Sequence, residues 1–450
     1  MKWYAIERYI NTMKSILSGI ILIALYLLLV LAPLGVLLIE PVPAGSGFWW
    51  DLSLAMGFAG MGMLGVQFLL TARFRRASAP FGIDIIYFFH RYLAVFAFGL
   101  IVLHCLIIRV DNPSAIGTLN PLEADGYMAM GLLAMALFTL VIASSLWRKP
   151  LRIPYDGWRQ AHTLFTAVGF VLAIGHIKGV GYYIDTPLKQ SLWTAFTAFW
   201  VLLILYVRLV KPLRMLRAPY RVMNVVKERG DTWTLTVAAD HHSGLRFEPG
   251  QFAWLTLRAS PYALREHPFS ISSSAVGADP LEFTIKELGD FTRTIKDARP
   301  GELVYLDGPY GAFSIDRVEA SSCVFIAGGV GIAPIMSMLR TLADRGDRRP
   351  LLLIYANNHW EKVIFREELE ELKTRLSLRV VHVLFKPHAG WQGESGLVTA
   401  DLLSRVLPGN RRELEYFVCG PKPMNKAVEH ALESLHIPLR QVRTELFDLV

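Results

Sequence analysis

The sequence predicts a membrane all-α six-helix bundle followed by an antiparallel β-barrel domain and a doubly wound α/β domain. Residues 1–210 hold nearly all of the long apolar runs. Short segments with a two-residue apolar period occupy about 218–316, and strand–helix alternation begins at 322. The chain is accordingly divided into an N-terminal segment 1–15, a six-helix segment 16–210, a linker 211–217, a barrel 218–316 and an α/β domain 317–450.

Hydrophobic residues make up 53% of the 450 positions, too many for an ordinary soluble enzyme. The net charge of +8 does not point to nucleic acid, because the basic residues of the first half cluster at the ends of apolar runs. Three cysteines, Cys105, Cys323 and Cys419, lie too far apart for a disulfide framework or a cysteine-ligated iron–sulfur cluster. The first apolar run is too long for the core of a cleaved signal peptide and reads as a signal anchor.

A helix needs about 20 apolar residues to cross the hydrocarbon core. Six segments qualify: 16–39, 49–72, 84–109, 127–147, 159–179 and 191–210. Their connections sort by charge. Arg73, Arg75 and Arg76 follow span two; Arg148, Lys149, Arg152 and Arg159 follow span four; Arg208, Lys211, Arg214 and Arg217 mark the exit from span six. The opposite loops carry Glu40, Asp51, Asp111, Glu123, Asp125 and Asp185. The positive-inside rule then places both termini, and all of 211–450, in the cytoplasm of a cell-membrane protein.

Ionisable side chains inside spans are rare and default to function. Span three contains His90 and His104, and span five contains His162 and His176, each pair 14 residues apart. Fourteen residues advance about 21 Å along a helix and return to nearly the same face, off by roughly 40°. Spans three and five run in the same direction, so His90 can face His162 and His104 can face His176. Two facing imidazoles fill both axial positions of a low-spin haem b. A lone intramembrane histidine is as often hydrogen-bonded to a neighbour, but equal intervals in two co-directional spans set that reading aside. Ligands about 21 Å apart along each helix cannot converge on one zinc ion.

The segments "HRYLAVFAFGLIVLH" (90–104) and "WRQAHTLFTAVGFVLAIGH" (158–176) resemble the ferric-reductase-like transmembrane domain shared by ferric reductases and NADPH oxidases. The resemblance implies two bis-histidine b-type haems held by His90, His104, His162 and His176. Arg91 reads either as a partner of a haem propionate or as an interfacial arginine snorkelling to lipid. Arg109, Lys178 and Tyr182 read either as an acceptor site near the outer haem edge or as a solvated loop.

In the barrel, the extended "HPFSISS" (267–273) can line a flavin ring, with Ser270 hydrogen-bonding near its N5. "GDFT" (289–292) opens a helix whose start, with Gly289 and Thr292, is a diphosphate cradle. Together these resemble the FAD-binding elements of the ferredoxin-NADP reductase superfamily, in the form found in ferric reductases and NADPH oxidases. That resemblance implies His267, Pro268, Phe269, Ser270, Ile285, Lys286, Gly289 and Thr292 as FAD-binding residues.

"AGGVGIAP" (327–334) follows a strand and precedes a helix, so Gly329 and Gly331 let the backbone approach a pyrophosphate, and Ile332–Pro334 supply helix-start N–H groups. With "GPYG" (308–311) upstream and "CGP" (419–421) downstream it is similar to that superfamily's NAD(P)H site. The implied residues are Gly308, Pro309, Gly311, Gly328, Gly329, Gly331, Ile332, Pro334, Cys419, Gly420 and Pro421. Cys419 falls near the nicotinamide, or is a buried strand-end cysteine; Phe447 stacks on the flavin, or is a core phenylalanine. The turn Asn357-Asn358-His359-Trp360-Glu361-Lys362 has no arginine before Arg366, which leaves NADH and NADPH both open.

The resemblance implies a transmembrane oxidoreductase that moves electrons from cytoplasmic NAD(P)H through FAD and two haems to an outer acceptor, an Fe(III) chelate. The alternatives are an NADPH oxidase that makes superoxide from O2, and a haem-free membrane-anchored flavin reductase serving soluble partners. Membrane lipid is an expected partner and nucleic acid is not.

Overall fold

The computed structural model describes residues 2–40, 42, 44–74 and 83–446, with 2–16, 18, 83 and 84 described through their backbone alone. The chain divides into two compact units, 1–213 and 214–450.

The first unit is helical: α1 (Lys2–Leu37), α2 (Phe48–Thr71), α3 (Ile83–Asp111), α4 (Gly126–Trp147), α5 (Tyr155–Val180) and α6 (Pro187–Leu205). Among the described residues six helices are long and apolar enough to cross a membrane. Their ends follow local chemistry. Pro154 precedes α5, and Gly181 ends it in the left-handed region at φ 64°, its N–H donating to Ile177 O. Thr186 caps α6, accepting from Lys189 N, with Pro187 at the first helical position. Beyond Leu205 a π-helical turn, Tyr206–Val210, runs into a further helix, Lys211–Leu216. The segment expected as a linker is therefore helical through Leu216. Lys, Leu, Arg and Met are good helix formers even where their charge interrupts an apolar run.

Helix α2 is the most enclosed of the six, and its glycines explain why. A Cβ at Gly60 would lie 3.1 Å from Ala97 O on α3, one at Gly62 2.7 Å from Val30 O on α1, and one at Gly65 2.7 Å from the Trp200 ring on α6. In a bilayer apolar area does not drive helices together, so close backbone approach at small residues does. The main pairings are α2 with α3 and α4 with α5.

The second unit begins with β1 (Tyr220–Glu228), β2 (Thr232–Ala239), β3 (Phe252–Leu257), β4 (His267–Ser270), β5 (Leu281–Lys286) and β6 (Leu303–Tyr310). They form an antiparallel sheet in the order β4-β3-β6-β1-β2-β5. An isolated bridge between Ile271 and Phe283 joins the two edges, curling the sheet into the expected barrel. Alternate residues point inward, so Val222, Leu235, Leu255, Phe283 and Val304 fill the interior.

The chain then alternates β7 (Cys323–Gly328), α7 (Ile332–Asp344), β8 (Leu351–Asn357), α8 (Arg366–Arg375), β9 (Leu378–Leu384), β10 (Glu394–Ser395), α9 (Ala400–Val406), β11 (Glu415–Cys419), α10 (Lys422–Ser434) and β12 (Val442–Glu445). The sheet is parallel, in the order β10-β9-β8-β7-β11-β12. One core packs α7 and α8 on one face, and a second packs α9 and α10 on the other. Large side chains such as Phe325 and Phe417 are fully buried, each stabilising the domain by about 1.5–3 kcal/mol. Helix α7 also carries the barrel. Ser337 Oγ donates to Ser273 O, Thr341 Oγ1 accepts from Ala275 N, and Arg340 bridges Glu282 and Glu368 at 2.7 and 2.6 Å while donating to Ser272 O.

Candidate functional site

Inside the bundle, α3 and α5 bring the sequence-predicted histidines into two layers. The rings of His90 and His162 lie 6.4 Å apart, centroid to centroid, with planes inclined by 67°. That gap accommodates one metal ion with a metal–nitrogen bond of about 2 Å to each ring. His104 and His176 form the other layer, close enough to interact electrostatically. Among the described residues no three His, Cys, Asp or Glu side chains gather into one cluster.

The neighbours of the rings say which nitrogen faces inward. His104 Nδ1 lies 3.0 Å from both Ser53 O and Ser53 Oγ. His176 Nδ1 lies 3.0 Å from Tyr127 O, and His162 Nδ1 3.3 Å from Ser145 Oγ. With Nδ1–H donating to a carbonyl or hydroxyl oxygen, Nε2 is left as the bare nitrogen, the one able to ligate a metal. This tautomer suits axial ligation of haem iron, and the donor set fits two bis-histidine sites. The His104 and His176 rings are also held from behind. A Cβ at Gly57 would lie 3.2 Å from His104 Nδ1, and one at Gly131 2.7 Å from His176 Nδ1.

Ser53, Gly57, Tyr127, Gly131 and Ser145 are absent from the sequence-predicted set. Gly131 and Ser145 repeat the 14-residue interval of the histidines, a signal that could have found them. Tyr127 acts through its backbone carbonyl, which no residue type encodes. Around the His90–His162 pair, the Trp158 ring stands 5.0 Å from His162, and Arg208 Nη2 donates to Thr163 Oγ1 at 3.4 Å. Arg91, Arg109 and Lys178 are exposed on the bundle. Tyr182 donates through its hydroxyl to Ala44 O at 2.8 Å, tying its loop to the segment before α2.

In the barrel, β4 pairs with β3 so that Ser270 stands opposite Phe252 and His267 opposite Leu255. His267 stacks on Phe291 at 4.0 Å and 22°, and Phe269 is nearly parallel to the same ring at 18°. This brings "HPFS" and "GDFT" together. Ile285 is buried in the barrel core and Lys286 is half-buried beside it. Thr292 Oγ1 accepts from Leu288 N and Gly289 N and donates to Gly289 O. Its hydroxyl thus shapes the turn instead of pointing outward. A Cβ at Gly289 would meet nothing within 4 Å, so approach to the turn is open, and these residues fit a dinucleotide's phosphates.

In the parallel sheet, β7 lies directly beside β11, with Ala327 opposite Cys419. A Cβ at Gly331 would lie 2.2 Å from Cys419 O, and one at Gly328 2.9 Å from the Pro421 ring. "AGGVGIAP" and "CGP" are therefore in backbone contact across the C-terminal ends of two strands, where open α/β sheets bind ligands. Gly329, at φ +54°, has open space before it, and its carbonyl accepts from Tyr355 Oη at 3.1 Å. Ile332 N–H turns back to Gly329 O and Val330 O, and Pro334 has no N–H, which narrows the anion-facing donors to the turn's other amides. Gly308–Tyr310 ends β6 against β3, and Gly311 just beyond it accepts through its carbonyl from Gln251 Nε2. The Cys419 side chain is fully buried in the apolar core, and burial pushes its thiol well above the usual range. The arrangement suits packing, not a thiolate. Arg366 lies over Trp360 at 4.7 Å and pairs with Glu367 at 3.1 Å. Phe447 lies outside the described residues.

Comparison with known proteins matches three families in chain order. Residues 56–174 match the ferric reductase like transmembrane component, 217–314 an FAD-binding domain, and 325–430 an oxidoreductase NAD-binding domain. Curated relatives include the glycine betaine monooxygenase reductase subunit of Pseudomonas aeruginosa, 28% identical over 50% of this chain and 63% of that protein. Another is NADH-cytochrome b5 reductase 1 of Laccaria bicolor, 32% identical over 38% of this chain and 57% of that protein. The chain thus spans less than two thirds of the length of these relatives. Among solved structures, the flavohemoglobin of Malassezia yamatoensis aligns over 90% of this chain and 100% of its own, at 15% identity and TM-score 0.48. The ferredoxin reductase in carbazole 1,9a-dioxygenase aligns over 51% of this chain and 69% of its own, at 22% identity and TM-score 0.46.

Proposed function

We propose, from the premise that this chain has the ferric reductase/NADPH oxidase-like architecture, that it passes electrons from cytoplasmic NAD(P)H across the cell membrane to an Fe(III) chelate. When bound, FAD converts the two-electron hydride unit into single electrons, and two b-type haems relay them. The observation that carries this reading is the pair of facing histidine layers, with three of the four Nδ1 atoms already engaged.

His90 with His162, and His104 with His176, would hold the two haems, each ring giving one axial nitrogen. With both imidazoles bound to it, the iron would have no site left for the acceptor, and each haem would supply electron transfer without bond formation. Ser53, Tyr127 and Ser145 hold the protons that fix the tautomer. His267–Ser270, Ile285 and Lys286 would border the flavin, and Gly289–Thr292 its diphosphate. Gly328–Pro334, Cys419–Pro421 and Gly308–Gly311 would hold NAD(P)H, the glycines letting backbone approach the pyrophosphate. The charge bias of the loops orients the bundle with both termini and the second unit in the cytoplasm.

The purified full-length protein tests this directly. A reduced-minus-oxidised spectrum with two b-type haems per chain, and NAD(P)H consumption that depends on added Fe(III) chelate, supports the reading. Superoxide formed at twice the rate of NAD(P)H consumption without added iron overturns the choice of acceptor in favour of an NADPH oxidase. Spectra without b-type haem bands overturn the relay itself.

A further inference from the structure

Three of the four bundle histidines have an oxygen beside Nδ1; His90 does not. Its Nδ1 is buried without a hydrogen-bond partner among the described residues. An unsatisfied buried donor is destabilising, and a ligating imidazole needs its other N–H held.

The register of α2 against α3 shows which residue stands at that level. Ser53 on α2 meets His104 on α3. Seven residues along α2 and seven back along α3, Gly60 stands against Ala97, where an added Cβ would lie 3.1 Å from Ala97 O. Seven residues are nearly two helical turns and return to the same face within about 20°. A further seven along each helix brings Gln67 to the level of His90, just as Ser53 stands at the level of His104. Gln67 is 6% exposed. Its Nε2 donates to Met63 O at 3.1 Å, while its Oε1 is buried without a partner among the described residues. One helix pair thus carries, at one level, an acceptor lacking a donor and a donor lacking an acceptor.

We propose that Gln67 is the positioning residue of the inner layer, its Oε1 accepting the hydrogen bond from His90 Nδ1–H and so fixing the tautomer that presents Nε2 to iron. The inference rests on the haem-relay reading above. The two atoms are not hydrogen-bonded in this structure, and the bond closes by rotation of the Gln67 side chain once His90 takes the ligating tautomer. Hydrogen bonding to a ligating histidine raises its basicity and favours the oxidised metal. Gln67 therefore holds down the potential of the inner haem and leaves the outer one, served by Ser53 and Tyr127, to its own partners.

The test is a redox titration of the full-length protein, followed in the haem absorption bands, for wild type, Gln67→Leu and Gln67→Glu. His90→Ala identifies the inner haem by its loss. Gln67→Leu is expected to raise the inner midpoint or to weaken retention of that haem alone by about 10–100-fold. Gln67→Glu, a stronger acceptor of similar shape, is expected to retain both haems and to lower the inner midpoint. Two fully retained haems with unshifted midpoints in both variants, or a shift confined to the outer haem, overturn the role of Gln67. Wild-type protein without b-type haem overturns the underlying reading instead.

Discussion

His90 and His162, on helices separated by the whole of α4, bring their imidazole rings to 6.4 Å, with planes inclined by 67°. Replacing either by alanine should halve the b-type haem content and spare the other layer. His104→Ala and His176→Ala should remove the complementary half. Pyridine haemochrome content against protein concentration reads this, and equal loss of both haems from every variant would contradict two separate layers.

Gly131 and Gly57 face the outer histidines with unequal room. An added Cβ meets His176 Nδ1 at 2.7 Å in Gly131→Ala but His104 Nδ1 at 3.2 Å in Gly57→Ala. Overpacking costs about 1–3 kcal/mol where neighbours cannot give. Gly131→Ala should therefore shift the outer haem's spectrum or empty its site, while Gly57→Ala has a smaller effect. Haem occupancy and thermal stability of the two variants, measured side by side, check the order.

In the α/β domain the tightest approach is Gly331 to Cys419, where a Cβ would lie 2.2 Å from a backbone oxygen. Backbone cannot swing aside as a side chain can, so Gly331→Ala should separate the two strand ends. NAD(P)H affinity should fall by about 10–100-fold, equivalent to about 1–3 kcal/mol. FAD content should stay unchanged, because the barrel motifs are untouched. Stopped-flow flavin reduction at varied NAD(P)H reads both. Cys419→Ala should cost stability more than rate, because its thiol is buried and protonated.

His382 supplies a pH dependence outside the membrane. Both ring nitrogens are buried without partners among the described residues, and the ring edge meets Trp360 at 5.1 Å. Burial depresses its pKa from 6.5 to about 4. The unfolded chain takes up a proton near pH 6.5 that the folded domain refuses until about 4, so folding stability falls as pH drops through that window. His382→Phe, which keeps an edge for Trp360, should flatten the dependence between pH 6.5 and 4. Thermal unfolding of the full-length protein, followed by flavin release across that range, measures the slope.

The histidine layers are legible because ionisable residues stand out in apolar spans and because a fixed interval survives helix formation. The strand and helix periods of the second unit are legible for the same reason. What holds the rings is partly hidden: Tyr127 contributes a main-chain oxygen, and Ser53 and Gly57 become meaningful only once α2 lies along α3. The boundary after span six is obscured by charge, since Lys211 and Arg214 end the apolar run without ending the helix. At Cys419 the motif gives the position, whereas the side chain's direction depends on the strand pleat, which turns it into the core.

The central claim is that electrons cross the membrane through this chain. Sealed vesicles containing the oriented protein, with an Fe(III) chelate trapped inside and NADH or NADPH added on the side of the second unit, test it most directly. The account predicts Fe(II) appearing inside at twice the rate of nicotinamide oxidation, two one-electron reductions per hydride, abolished by His104→Ala. Nicotinamide oxidation with no trapped iron reduced, or trapped iron reduced as fast in His104→Ala as in wild type, would contradict it.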